Sequence, residues 1–333
     1  MKAFIVEQYK SKNGGRIGQM PVPELRADEV LVEIHAAGIN LLDSKIRNGE
    51  FKLILPYKTP FVLGHDVAGV VIKVGVRVQR FKVGDEVYAR PADHRIGTFA
   101  DFIAIKEADV ALKPKKLSME EAASIPLVGL TAWQALVEKG RLKKGQKVFI
   151  QAGSGGVGTF AIQLAKYLGA TVATTTSAAN IGLVKSLGAD VVIDYEKDDL
   201  EKILHGYDLV LNSQDGKTLE KSLRVLKPGG KLISISGPPD PDFAEEIGAP
   251  WFVKLIMRLL SLGVRKKAKR VKVGFSFLFM KANGSQLKEI ADLINSGAIK
   301  PAIDKVFPFE QTNDAMAYVE TGRAQGKVVI KIK

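Results

Sequence analysis

Six residues, Gly153-Ser154-Gly155-Gly156-Val157-Gly158, carry the spacing G-x-G-x-x-G between a β-rich run at 147–151 and a helical run at 160–168. A strand, a glycine turn and a helix in that order make a cradle for a pyrophosphate. Gly153 permits the tight turn, Gly155 lets backbone approach the phosphates, and Gly158 lets the helix pack close on the strand. The unpaired N–H groups of the first helical turn, at Gly156 and Val157, then face the negative charge. A second strand–helix–strand pattern, at 170–172, 181–187 and 191–194, supports a dinucleotide-binding sheet rather than an isolated glycine loop.

The next strand bears on which dinucleotide is held. An acid about 20 residues beyond the first glycine would grip both ribose hydroxyls of NAD. Here the chain reads Thr174-Thr175-Thr176-Ser177-Ala178-Ala179-Asn180, with no acid. Hydroxyl and amide donors suit a 2′-phosphate, so NADP is the expected cofactor.

The elements that must position this loop follow from length and pattern. A chain of 333 residues exceeds one ordinary core and predicts two domains. Up to about residue 120, β signals at 30–36, 67–74, 83–89 and 100–105 alternate with glycine and proline. Alternating helices and strands then run through 231–236, the pattern of a parallel doubly wound sheet. One more strand follows at about 275, then a helix at 286–296 and a strand at 327–331 that return to the first domain. The predicted division is 1–122 with 275–333 for a β-rich domain and 123–274 for a doubly wound domain of α/β class. With 46% apolar and 26% charged residues the chain reads as globular, and zero cysteines exclude disulfides and thiolate metal sites. No secretory pattern and no apolar run of about 20 residues stand out, so a cytoplasmic enzyme is expected.

The motifs 64–71 (Gly-His-Asp-Val-Ala-Gly-Val-Val), 81–87 (Phe-Lys-Val-Gly-Asp-Glu-Val), the Gly153 loop and 187–190 (Leu-Gly-Ala-Asp) follow one another in an order that resembles the medium-chain dehydrogenase/reductase superfamily. Segments 37–49, 129–132 and 322–330 resemble its zinc-free branch of quinone oxidoreductases and alkenal/enone reductases. The resemblance implies a GroES-like substrate domain, a Rossmann domain, a cleft between them, and a homodimer joined through a strand near the end of the Rossmann sheet. The run from Lys272 to Phe279, with Val273, Phe275, Phe277 and Phe279 on one face, fits that strand, or equally an internal one.

The positions matching catalytic zinc ligands are Asn40, His65 and Leu127, of which only the histidine binds metal readily, so no metal is expected. His65 is read first as satisfying a local hydrogen bond. Without metal, a nicotinamide supplies hydride to a quinone or to the β-carbon of an enone, and the oxygen that gains charge needs a donor or water. The resemblance implies contacts to the nicotinamide end from Asn40 and Thr131 and to the adenosine end from Ser177, Asn180 and Tyr195. Lys327, within the Gly326-Lys327 ending, joins the cofactor residues. Lys45 and Tyr57 are the candidate proton donors, with Asp43 either holding Lys45 or capping a helix. Relatives often place lysine where Asn180 stands, so Lys185 is a substitute partner for the 2′-phosphate.

The net charge of +13 is concentrated. Residues 251–281 contain nine bases and no acid, leaving 40 bases against 36 acids elsewhere. Trp251, Phe252, Leu255, Ile256, Leu259 and Leu260 form an apolar helical stripe, with Lys254, Arg258, Ser261 and Arg265 placed opposite. About twelve residues make about 18 Å of helix, too short to span a bilayer. Such a helix is either a lid packed over the cleft, charges in water, or a weak contact to an anionic membrane surface. The proline-rich loop at 237–243 is expected to shape the substrate pocket. The leading expectation is thus a reductase of quinones or activated alkenes. Alcohol dehydrogenation, or non-catalytic NADPH binding with docking on membrane or RNA, is the alternative; nucleic acid is not the expected partner.

Overall fold

The computed structural model describes residues 1–11, 14–52 and 54–333. It divides into two units, Met1–Leu130 with Lys281–Lys333, and Thr131–Met280.

The first unit begins with β1 (Lys2–Val6), β2 (Arg16–Gln19), β3 (Glu29–Ile39), α1 (Leu41–Arg47), β4 (Phe61–Val62), β5 (Val67–Val74), β6 (Glu86–Ala89), β7 (Phe102–Lys106) and β8 (Val110–Leu112), followed by α2 (Met119–Ala123) and the start of α3 (Pro126–Trp133). β3 is central: β5, β7 and, later, β16 all pair with it antiparallel. Val30, Val32 and Ile34 of β3 alternate into a core with Val67, Val71, Val87, Ile103 and Ile105. The hairpin β1–β2, with β4 beside it, forms a separate small sheet.

The second unit holds β9 (Lys147–Ile150), α4 (Gly156–Tyr167), β10 (Thr171–Thr176), α5 (Ile181–Ser186), β11 (Val191–Asp194), α6 (Leu200–Ile203), β12 (Tyr207–Asn212), α7 (Gly216–Val225), β13 (Leu226–Ser234), α8 (Pro241–Glu246), α9 (Trp251–Arg270) and β14 (Gly274–Phe277). Its six strands are all parallel, in the order β11-β10-β9-β12-β13-β14. Numbered within the unit this is 3-2-1-4-5-6, and the order reverses between β9 and β12, where such sheets bind ligands beyond their strand ends. β14 lies at the sheet edge, not in its interior.

The chain then returns to the first unit through α10 (Gly284–Asn295), β15 (Ile303–Pro308), α11 (Thr312–Glu320) and β16 (Lys327–Lys331). Sequence patterning missed β15 and α11. Half of β15 is exposed, so its alternation is faint, and it is held by its parallel pairing to β16.

The basic segment also departs from expectation, because α9 runs 20 residues, through the lysine-rich tail. Its inward face is Val253, Met257, Ser261, Val264 and Ala268, spaced by three and four, and Ala268 and Val264 pack into the sheet core. Ser261, assigned to the outward basic side, is fully buried and back-bonds to Met257 O at 2.9 Å. The large apolar stripe is not the inward face: Trp251 is 77% exposed and Leu259 and Leu260 are each 60% exposed. Among the described residues no helix is long and apolar enough to cross a membrane.

Candidate active site

The glycine loop links the end of β9 to α4 at the reversal of strand order. The left-handed backbone value falls on Ala152 (φ 50°), one residue before the glycine expected to need it. Gly153 is required for a different reason: a β-carbon there would overlap the Thr174 side chain of β10. One at Gly158 would overlap the Ala152 carbonyl and the Gly153 backbone, which holds α4 tight against the loop. Gly155 is different, since a β-carbon there would find only the Ala152 carbonyl, at 3.4 Å. The backbone over Gly155 is bare, and α4 begins just after it, so the N–H groups of Gly156, Val157 and Gly158 have no intrahelical acceptor.

Beside the loop, the end of β10 supplies hydroxyls and an amide. Ser154 Oγ lies 3.0 Å from Thr176 Oγ1 and accepts from Asn180 Nδ2 at 3.3 Å, and Asn180 Nδ2 also reaches Ser177 Oγ at 3.3 Å. Asn180 Oδ1 is buried with no partner among the described residues. Tyr195, just past β11, is exposed, and its N–H donates to Thr176 O at 3.2 Å. Lys185 is exposed on α5. A bare backbone stretch at a helix N-terminus and an orphaned amide oxygen beside it fit a dinucleotide phosphate and ribose. Thr131 is buried on α3, which continues as a π-helical turn over Gln134–Lys139.

The first unit contains a buried polar chain that sequence reasoning found only in part. Lys327 Nζ donates to Asn40 Oδ1 at 2.6 Å, Ile39 O at 2.9 Å and Asp66 Oδ2 at 3.1 Å. Asn40 Nδ2 donates to Asp66 Oδ2 at 2.9 Å, so both ends of the Asn40 amide are fixed. The other oxygen of Asp66 accepts from Leu127 N–H at 2.6 Å, at the start of α3, where the helix dipole favours a carboxylate. Asp43 Oδ2 accepts from Asn40 N–H at 2.7 Å, and Asp43 Oδ1 lies 2.6 Å from His65 Nδ1. The Asp43–His65 pair was legible only as a helix cap and a satisfied histidine; no pattern in sequence joins positions 22 apart. His65 Nε2 is buried without a partner among the described residues.

Of the two roles open to Asp43 the structure shows the helix cap, through its bond from Asn40 N–H. Asp43 is fully buried and turned to His65, while Lys45 is exposed on α1, so Asp43 does not hold Lys45. Tyr57 donates its hydroxyl proton to Asp93 O and stacks on Phe61 with centroids 5.3 Å apart. Burial, then the Asp93 charge, raises its pKa well above the usual phenol range. Its proton is directed at a backbone carbonyl.

At the positions matching zinc ligands the side chains are largely engaged elsewhere. Asn40 is occupied by Lys327 and Asp66, Leu127 contributes backbone only, and no three His, Cys, Asp or Glu side chains gather among the described residues.

Comparison with known proteins agrees with this architecture. Residues 26–115 match the family described as "Alcohol dehydrogenase GroES-like domain", and residues 187–330 the one described as "Zinc-binding dehydrogenase". The chain is 38% identical to the 2-methylene-furan-3-one reductase of Solanum lycopersicum, covering 99% of this chain and 79% of that protein. It is 36% identical, with the same coverage, to the chloroplastic NADPH-dependent alkenal/one oxidoreductase of Arabidopsis thaliana. The quinone oxidoreductase structure from Coxiella burnetii superposes with a TM-score of 0.87 at 31% identity, covering 100% of this chain and 99% of that one. The chain belongs to the medium-chain dehydrogenase/reductase superfamily, with a GroES-like domain and a Rossmann domain.

Proposed function

We propose that this protein is an NADPH-dependent oxidoreductase that reduces a quinone or an α,β-unsaturated carbonyl without a metal. The observation that carries the reading is the pairing of a bare glycine cradle at the N-terminus of α4 with an acid-free cluster of Ser154, Thr176, Ser177 and Asn180. The names of the two plant reductases and of the quinone oxidoreductase support the acceptor class.

Gly153, Gly155, Gly156, Val157 and Gly158 hold the pyrophosphate through backbone N–H groups and close packing. Ser177 and Asn180 face the 2′-phosphorylated ribose, with Tyr195 walling the adenosine and Lys185 free to approach the added charge. Asn40 and Thr131 are assigned to the nicotinamide end. Lys327 acts through Asn40, whose amide it fixes, rather than by touching cofactor. When bound, the nicotinamide supplies the hydride. The charge left on the acceptor oxygen is met by Lys45 or solvent water, Tyr57 being tied to Asp93.

The assignment of the first unit to substrate and of the second to cofactor, the cytoplasmic location and a homodimer paired through the exposed edge of β14 are parts of the same proposal. Light scattering of the intact protein and cell fractionation test the last two.

The deciding experiment follows NADPH and NADH oxidation in the presence of chelator against quinones, enones and 2-alkenals, with simple aldehydes as controls. Turnover of quinones or enones with NADPH supports the reading. Activity restricted to aldehydes and restored by zinc would return the protein to the alcohol dehydrogenases; cofactor binding with no turnover would make it a binding protein.

A further inference from the structure

α9 is the crossover between the last two strands of the parallel sheet, and such a helix needs one apolar face for the sheet. On that face Val264 and Ala268 pack into the sheet core, and Met257 and Ser261 on the same side are buried. The fold leaves no use for the second apolar surface. Trp251, Phe252, Leu255, Ile256, Leu259, Leu260 and Leu262 all stand exposed on the same helix. Seven large apolar side chains in twelve consecutive positions form a contiguous patch, which soluble surfaces seldom leave without a partner.

Charge identifies the partner. Lys254, Arg258, Arg265 and Lys269 follow one edge of the helix at spacings of four, seven and four, beside the apolar patch; Lys266 and Arg270 lie C-terminal to the patch, and Lys272 just beyond the helix. Of the eight bases from 254 to 272, Lys267 is paired with Glu220 on α7, and residues 251–272 contain no acid. A second copy of this helix would bring like charge against like. RNA would use the bases but leave the apolar patch in water. An anionic bilayer surface accepts both, taking Trp, Phe and Leu to the acyl boundary and the bases to the headgroups.

We infer that α9 docks the protein on anionic lipid, lying in the plane of the interface with residues 251–262 inserted and the lysine-rich half against the headgroups. The inward face stays anchored to the sheet, so docking needs no unfolding. The inference stands apart from the reductase reading, and its test is read without turnover.

The test is flotation of the full chain with phosphatidylcholine vesicles, with and without phosphatidylglycerol, at low and high salt. Wild-type protein is expected to float only with the anionic vesicles and to be released by salt. Lys254→Gln/Arg258→Gln/Arg265→Gln/Lys269→Gln should lose roughly fivefold in partitioning per base removed. Leu255→Ser/Leu259→Ser/Leu260→Ser should lose about tenfold or more, from apolar burial alone. All seven positions lie outside the sheet-facing set, and an unchanged melting temperature shows that both variants fold. Wild-type protein that stays in solution overturns the inference. So does a serine variant that floats as well as wild type, which would reduce the contact to counterion adsorption that RNA serves equally. A serine variant that stays unbound and elutes as a smaller species, while wild type does not float, would instead make the patch a contact between copies of this chain.

Discussion

Lys327 Nζ lies 2.6 Å from Asn40 Oδ1, joining residues 287 positions apart inside one buried cluster. The ammonium has three protons and three acceptors, Asn40, Ile39 and Asp66, so it has nothing left to offer a ligand. Its effect is to orient the Asn40 amide and to neutralise Asp66.

Lys327→Met would therefore strand a buried carboxylate and an amide oxygen together. A loss of about 3–5 kcal/mol is expected, measured by urea unfolding, because removing one partner of a buried pair leaves the other uncompensated. A loss within error of zero would mean that Asp66 is satisfied without the lysine.

The three motif glycines should separate stability from binding. Gly158→Ala must displace backbone and should cost about 1–3 kcal/mol in a melting experiment. Gly155→Ala meets only an ordinary contact at 3.4 Å, so the protein should stay folded while NADPH affinity, followed by fluorescence titration, falls. Equal effects on both measurements would remove the distinction between packing and phosphate-facing glycines.

Asn180→Asp places a carboxylate in the acid-free cluster. The ratio of kcat/KM for NADPH over NADH should drop about tenfold, equivalent to about 1.4 kcal/mol. An unchanged ratio would move the 2′-phosphate away from Asn180, with Lys185 the next position to vary.

Tyr57→Phe should lower stability by about 1 kcal/mol, the value of one buried hydrogen bond to Asp93 O, and leave turnover nearly intact. Were Tyr57 the proton donor, turnover would fall by about 10²–10⁴.

Asp190 offers a pH test. Burial alone would raise its pKa, but Lys166 Nζ at 2.8 Å and the Val172 N–H at 2.7 Å outweigh burial and lower it. A depressed acid stabilises the fold above its unfolded pKa of about 3.9, and that contribution disappears as pH falls through the folded value. Wild type should thus lose stability relative to Asp190→Asn as the solution is taken below about pH 4, with the two curves converging at the acid end.

The Rossmann half was readable because its signals are local. β9, the glycine turn and α4 lie within one stretch of chain, and β11 fell where its apolar run placed it. The role of each glycine was not readable, since Gly153 answers to Thr174 on another strand and the positive φ sits on Ala152. The polar cluster of Asn40, Asp43, His65, Asp66 and Lys327 was visible as separate residues. Its connections span from 3 to 287 positions, and no periodicity encodes them. α9 misled for a physical reason: its largest apolar side chains face water, and the sheet takes the smaller set that a search for bulk passes over.

The sheet of the first unit is built from two stretches of chain, β3 to β8 and β15–β16, with the whole second unit between them. Until β16 is made, β3 lacks that antiparallel partner and Asn40 and Asp66 lack Lys327. Without β16 the first unit has an open strand edge at β3 and an uncompensated Asp66 carboxylate, and open edges are where chains misassociate. β16 fills that edge and supplies the charge at once, so a single strand closes both the sheet and the buried polar cluster.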